Sequence, residues 1–260
     1  MNDGTMTAPR DPKTAHGLTS PGGRDMTGGE SAPEEIDAFM SKVRAMPKSD
    51  GTGRRGRLVF ALDATASRGP TWDRACHIQA EMFHQTAALG GLDVQLVFYR
   101  GFGECKASKW YSGPQALAKV MTGVGCLGGQ TQLGRILKHT ITETGRERVN
   151  AVIFVGDAFE EDIDQVCHHA GELGVLGVPV FLFHEGGDPL AARAFRQIAQ
   201  LTNGAYCPFD AGSADRLKEL LAAVAVYAAG GRKALLEFGR RSGAEGVRLL
   251  TSQIAGGARR

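Results

Sequence analysis

From residue 57 onward, short apolar runs alternate with longer segments whose apolar residues recur every three to four positions. Leu58–Leu62 and Ala151–Val155 are wholly apolar, the pattern of strands buried on both faces. Val94–Tyr99, Val178–Phe183 and Ala205–Phe209 predict three more strands, and Lys106–Tyr111, with its charges and aromatics, suits a short edge strand. Helices are predicted between them: over 71–89, Pro114–Met121, Thr131 to about Thr144, 162–173 and 189–201. Ser213 is placed to cap a last helix with Leu217, Leu220, Leu221 and Val224 on one face, stopped by Gly230 and Gly231. A helical extension follows over 232–254 around Leu235, Leu236 and Phe238. This alternation predicts an α/β architecture: a doubly wound, mostly parallel sheet with helices on both faces and one antiparallel edge strand.

The pattern stops short of the N-terminus. Residues 1–30 are mostly Gly, Pro, Thr, Asp and Arg and hold too little apolar surface to offset the entropy of ordering them, so a disordered arm is expected. Residues 31–56 predict an amphipathic helix and a linker. Ser31 is its N-cap, Pro33, Glu34 and Glu35 fill its first turn, and Ile36, Phe39, Met40 and Val43 share a face. That helix either packs on the main domain or docks a partner. The α/β domain is expected over 57–228, with a helical extension and tail over 229–260.

Composition narrows the function classes. Hydrophobic residues make up 42% of the chain, enough for a real core, and a net charge of +2 removes the electrostatic argument for binding nucleic acid or an anionic membrane. Five cysteines, scattered and without a CxxC pair, argue against a disulfide scaffold. The polar start does not read as a secretory signal, and the longest apolar run, Leu220–Ala229, is too short to span a bilayer. A cytoplasmic location is the expectation.

Candidate chemistry lies where such folds bind ligands, outside the carboxyl ends of the strands. The first strand runs into Asp63-Ala64-Thr65-Ala66-Ser67, whose small alanines allow a tight turn that converges three oxygen-bearing side chains. The fourth strand ends in Val155-Gly156-Asp157, and Gly128-Gly129-Gln130-Thr131 brings a hydroxyl on a glycine loop. Two carboxylates and three hydroxyls, with no His or Cys, suit a hard cation such as Mg2+, with Mn2+ and Ca2+ served by the same donors. Three other motifs carry less. Gly123–Gly128 spells GxGxxG, but a helix rather than a strand precedes it. Cys167-His168-His169 sits on a predicted helix, where adjacent side chains diverge and cannot chelate together. The run Glu160-Glu161-Asp162 flanks a helix N-terminus, where negative charge is favourable, and lies close enough to Asp157 to tune a metal.

The oxygen set resembles the metal-ion-dependent adhesion site of von Willebrand factor A domains, over about residues 57–228. In that family Asp-x-Ser-x-Ser follows the first strand, a Thr comes in a later loop and an Asp follows the fourth strand. Asp63, Thr65 and Ser67 match the first element, with Thr65 in place of the usual Ser; Thr131 matches the second and Asp157 the third, with Ala158-Phe159 behind it instead of Gly. The resemblance implies a Rossmann-like fold of stand-alone bacterial type and no enzymatic activity. It implies direct metal contact by Thr65, Ser67 and Thr131, and water-mediated contact by Asp63 and Asp157. One coordination position is left for an Asp or Glu of a partner protein, such as an AAA+ ATPase or an assembly factor. The rival resemblance is to haloacid-dehalogenase-like phosphohydrolases, with Asp63 as nucleophile and Gly156-Asp157…Asp162 as the late acidic motif; that chemistry wants an acid at position 65, which is Thr.

Overall fold

The computed structural model describes residues 55–69, 72–73, 84, 91–209 and 214–241. A six-stranded sheet is built from β1 (Gly56–Asp63), β2 (Leu92–Arg100), β3 (Glu104–Tyr111), β4 (Ala151–Gly156), β5 (Val180–Glu185) and β6 (Ala205–Phe209). Helices with both ends among the described residues are α1 (Pro114–Met121), α2 (Leu133–Arg146), α3 (Ile163–Val175), α4 (Pro189–Leu201) and α5 (Ala214–Arg241). The strand order is β3-β2-β1-β4-β5-β6, and every pairing is parallel except β2 with β3. The predicted fold class is therefore the observed one, down to the antiparallel edge strand.

Period-two alternation divides the core. Leu58, Phe60 and Leu62 of β1 point to one face and meet Leu117 and Met121 of α1 and Leu221, Val224 and Ala225 of α5. Val59 and Ala61 point to the other, against Ile136 and Leu137 of α2, Val166 of α3 and Phe195 of α4. Both faces of β1 and β4 are buried along their whole length, which is why these strands read as unbroken apolar runs. Two of the helices, α3 and α4, start on acidic caps of their own: Asp162 accepts the N–H groups of Asp164 and Gln165, and Asp188 those of Leu190 and Ala191.

The predicted boundaries shift where backbone bonding differs from side-chain pattern. Val178 looks like strand, but its N–H closes the end of α3 on the Leu173 carbonyl (2.9 Å) after Gly177 at φ 68°. The pairing of β5 instead runs on through His184 and Glu185, opposite Pro208 and Phe209. At the C-terminal side, Gly231 leaves helical geometry (φ 65°, ψ −166°) as the glycine pair predicts, and the helix resumes to Arg241 with Leu235 in the core. Of the helix expected over 71–89, Trp72, Asp73 and His84 are described and are helical. The arm, the helix over 33–46, the Ser213 cap and residues 242–254 lie outside the described residues. Among the described residues no helix is long and apolar enough to cross a membrane.

Candidate functional site

The sheet reverses its winding between β1 and β4, so the chain leaves their carboxyl ends toward opposite faces and opens a crevice there. Asp63 closes β1 at this crevice and Asp157 follows the last residue of β4. Asp63 is 2% exposed, and both its oxygens are engaged. Oδ1 accepts the N–H of Thr65 (2.8 Å) and Oδ2 accepts the hydroxyl of Tyr99 (3.0 Å) on the neighbouring strand β2. The Thr65 bond is an Asx-type turn that folds the chain back at the strand end and leads into a single 3-10 turn, Ala66–Arg68. That turn sets the Thr65 and Ser67 hydroxyls 3.3 Å apart, Thr65 buried and Ser67 exposed. Desolvation pushes the Asp63 carboxyl above its usual range, and the charge of Asp157 adds to the effect. Tyr99 is held well above its ordinary value by burial and by Asp63, so it stays a donor.

Thr131 arrives on a loop that cannot be loosened. Gly129 lies so close to the Gly101 backbone that a Cβ would overlap it, and Gln130 donates its N–H to the Gly101 carbonyl (3.2 Å). Thr131 is buried, its N–H donating to Glu160 Oε2 (3.2 Å) and its hydroxyl accepting from the Glu160 N–H (2.8 Å). The loop entering from α1 is tied down as well, Leu127 donating to the Ala64 carbonyl (3.0 Å). Among the described residues, Asp157 Oδ1 is one of four buried side-chain atoms without a hydrogen-bond partner, and the one that belongs to the predicted oxygen set. Behind it, His184 Nε2 lies 3.3 Å from the Asp157 carbonyl while Nδ1 meets the Tyr206 hydroxyl at 2.9 Å. Burial holds this imidazole below its ordinary pKa, so it serves as a neutral brace.

All five sequence-predicted residues thus lie at the carboxyl end of the sheet, around the β1–β4 crevice. Three partners were not foreseen. Tyr99 reads as one more apolar strand residue, and only the β1–β2 register puts it beside Asp63. Glu160 clamps Thr131, and Glu161 accepts the N–H groups of Leu133 (2.5 Å) and Gly134 (2.9 Å). Of the acidic run expected to flank its own helix, Asp162 does so, whereas Glu161 caps α2. The reason is that the N-cap of α2, Gln132, makes no side-chain cap bond, and a carboxylate from elsewhere fills the place. The sequence hid this, because Thr131 stands at the predicted start of the helix as an apparent cap.

Among the described residues no group of three or more His, Cys, Asp or Glu side chains could hold a metal. The crevice instead combines two carboxylates and three hydroxyls, donors that could hold only a hard cation. The GxGxxG segment follows α1 rather than a strand, and His168 pairs with Glu172 (3.0 Å) on the surface of α3, so neither competes. One consequence can be measured on the metal-free protein. Asp157→Asn keeps the shape and removes one of two carboxylates that repel each other, so in chelator its melting temperature is expected to rise by about 2–4 °C, the effect of about 1 kcal/mol. A fall would show that the Asp157 carboxylate is already compensated.

No protein-family model and no curated protein matches this chain. In fold it is similar to von Willebrand factor A domains of known structure. A von Willebrand factor type A protein from Catenulispora acidiphila matches with a TM-score of 0.54 at 16% identity, over 65% of this chain and 42% of that one. The corresponding domain of the type V pili tip protein Mfa5 from Porphyromonas gingivalis gives 0.55 at 10% identity, over 67% and 96%. The SpRpn10 VWA domain gives 0.52 at 11% identity, over 65% and 95%. The match spans less than half of the Catenulispora protein, while it takes in nearly all of the other two. At these identities the likeness establishes the von Willebrand A fold alone.

Proposed function

We propose that this chain is a protein-binding module, not an enzyme, that takes an acidic side chain of a partner protein through a divalent cation at the β1–β4 crevice. Asp63, Thr65, Ser67, Thr131 and Asp157 are the residues that would hold the ion, Mg2+ by preference, with Mn2+ or Ca2+ able to replace it. The observation that carries the reading is the orphaned Asp157 Oδ1 beside the buried Asp63 carboxylate. A buried carboxylate with a half-buried one beside it, one of whose oxygens is itself buried and unpartnered, calls for a positive charge, and the donors around them are all oxygens. When bound, the cation supplies that charge and an acceptor position for a carboxylate. The chain's own part is preorganisation. Asp63 is locked by Thr65 and Tyr99, the hydroxyls of Thr65 and Ser67 are set by the 3-10 turn, and Thr131 is clamped by Glu160. With Glu160 and Glu161 nearby, a bare crevice repels an acidic partner, so binding depends on the ion.

The same geometry argues against the phosphohydrolase alternative. A carboxylate that is 2% exposed, with both oxygens accepting hydrogen bonds, is poorly placed to attack a substrate, and Thr65 stands where a general acid is needed. The test is calorimetry of MnCl2 into the full chain, with weak binding expected, about 0.1–1 mM, lost in Asp157→Asn. No binding at millimolar metal overturns the reading. Phosphoester turnover abolished by Asp63→Asn would put the hydrolase in its place.

A further inference from the structure

The turn between β2 and β3, Gly101-Phe102-Gly103, lies at the same end of the sheet as Asp63 and Asp157, and it presents Phe102 with 84% of its surface exposed. Turn geometry does not ask for a phenylalanine here. Gly101 supplies the positive φ (59°), and a polar residue between two glycines would serve the hairpin as well or better. Single exposed apolar residues are ordinary, but this one is not alone and not loosely held. Four hydrogen bonds fix its neighbours: Gln130 N–H and Gln132 Nε2 to the Gly101 carbonyl (both 3.2 Å), and Arg135 Nη1 to the Gly103 carbonyl (2.6 Å), with Arg100 Nη1 bracing Gly125 (2.6 Å). The loop that touches Gly101 through Gly129 also carries Leu127, half exposed, whose own N–H is bonded to Ala64. Two exposed apolar side chains are thus held by the two loops that carry Thr65 and Ser67 on one side and Thr131 on the other. Among the described residues, the exposed Val175, Leu176 and Leu201 sit at the helix C-termini of α3 and α4, remote from these loops in the topology, while the exposed Leu190, in the first turn of α4 after β5, shares this end of the sheet but lies on the β5 side of it, away from the β2–β3 turn.

We propose that Phe102 and Leu127 are the specificity surface of the crevice, and that its partner is a protein segment whose acidic side chain has an apolar side chain within a few residues of it. This rests on the metal-bridged reading above. The carboxylate goes to the crevice and the apolar neighbour to the Phe102–Leu127 rim. Charge favours such an occupant: among the described residues Arg135 pairs with no carboxylate, only with the Gly103 carbonyl and the Gln132 amide oxygen, so it adds positive potential beside the turn. An aromatic carried on a turn whose backbone is already held loses little further backbone entropy on contact, which favours a single Phe as a binding hot spot.

The test uses an array of capped peptides with a central Asp, flanked by Leu or Phe in one set and by Ser in the other, probed with the full chain in MnCl2 and in chelator. The expected result is roughly tenfold stronger retention of the apolar-flanked set, abolished by chelator. In Phe102→Ala that preference disappears while MnCl2 binding by calorimetry is unchanged, and Leu127→Ala lowers it in the same direction. Equal, chelator-sensitive retention of both sets overturns the specificity surface and leaves the metal bridge standing. An apolar preference that survives chelator overturns the coupling of rim to crevice, and with it the proposal. Retention of neither set overturns it as well. A peptide of residues 31–46, whose Glu34-Glu35-Ile36-Asp37-Ala38-Phe39 has the same chemistry, is included as a competitor. If it displaces every array peptide at lower concentration, the occupant is the chain's own arm and the external partner is wrong.

Discussion

Val155→Asp is expected to abolish folding: no cooperative thermal transition, and protein that is insoluble or molten by circular dichroism. Val155 is 1% exposed in the middle of the sheet, in register with Leu62 of β1 on one side and Phe183 of β5 on the other. Its side chain belongs to the apolar cluster under α1 and α5, where no described cation can reach it. A carboxylate there is either charged without a partner or protonated without hydrogen bonds, and either way the penalty exceeds about 4–5 kcal/mol. A domain of this size has a total stability of about 5–15 kcal/mol, so even the smallest such penalty takes about a third of it at the upper end and nearly all of it at the lower. Val155→Ala is the control: it opens a small cavity, lowers the melting temperature and leaves the transition cooperative. A Val155→Asp protein with a wild-type melting curve would show that β4 is not the sheet's buried centre. The position matters because Asp157 lies only two residues on. A carboxylate is destructive at 155, whereas the proposed metal site calls for one at 157, and the boundary between the two falls at Gly156, where a Cβ would press on the Phe154 ring (2.7 Å).

How much of this was legible in the chain follows from the range of the forces involved. β1 and β4 are readable because strands buried on both faces must be apolar at every position, and a five-residue apolar run between polar turns is too short for a buried helix, unlike Leu220–Ala229 of α5. α1 is readable to the residue because Pro114 marks its first turn. The strand-end residues Asp63 and Asp157 are readable because topology puts the ends of β1 and β4 side by side. What was not legible depends on pairs far apart in sequence. Tyr99 finds Asp63 across 36 positions, and Glu161 finds the start of α2 across 28. The short-range rule assigned the whole acidic run to α3, and for Asp162 that rule holds. For Glu161 a neighbouring helix with uncapped N–H groups competes, and the loop brings the carboxylate there. Thr131 illustrates the same limit. A threonine on a glycine loop reads as exposed, yet it is 5% exposed, because the loop is pressed between the Gly101 turn and the Glu160 segment.

That burial sharpens what Thr131→Ala should do. The side chain contributes one hydroxyl, which accepts the Glu160 N–H at 2.8 Å, and one methyl group. Removing the hydroxyl leaves a backbone N–H without its acceptor, but at an exposed residue where water can replace it. The expected loss is about 1–2 kcal/mol, a lower melting temperature with a cooperative transition and an unchanged circular dichroism spectrum. The loss of function is expected to be far larger. Thr131 comes from a different loop than Thr65 and Ser67, and its replacement by Ala leaves that loop without a hydroxyl at this position. Affinity for MnCl2 should fall at least about 10–100-fold, on the scale seen when even an outer partner of a metal site is lost, and chelator-sensitive peptide capture should vanish with it. Thr131→Ser separates the two roles, since it restores the hydroxyl without the methyl. It is expected to recover both the Glu160 bond and metal affinity. If Thr131→Ala binds MnCl2 as the wild type does while its melting temperature falls, the hydroxyl serves only to clamp the Glu160 segment, and Thr131 must be struck from the donor set.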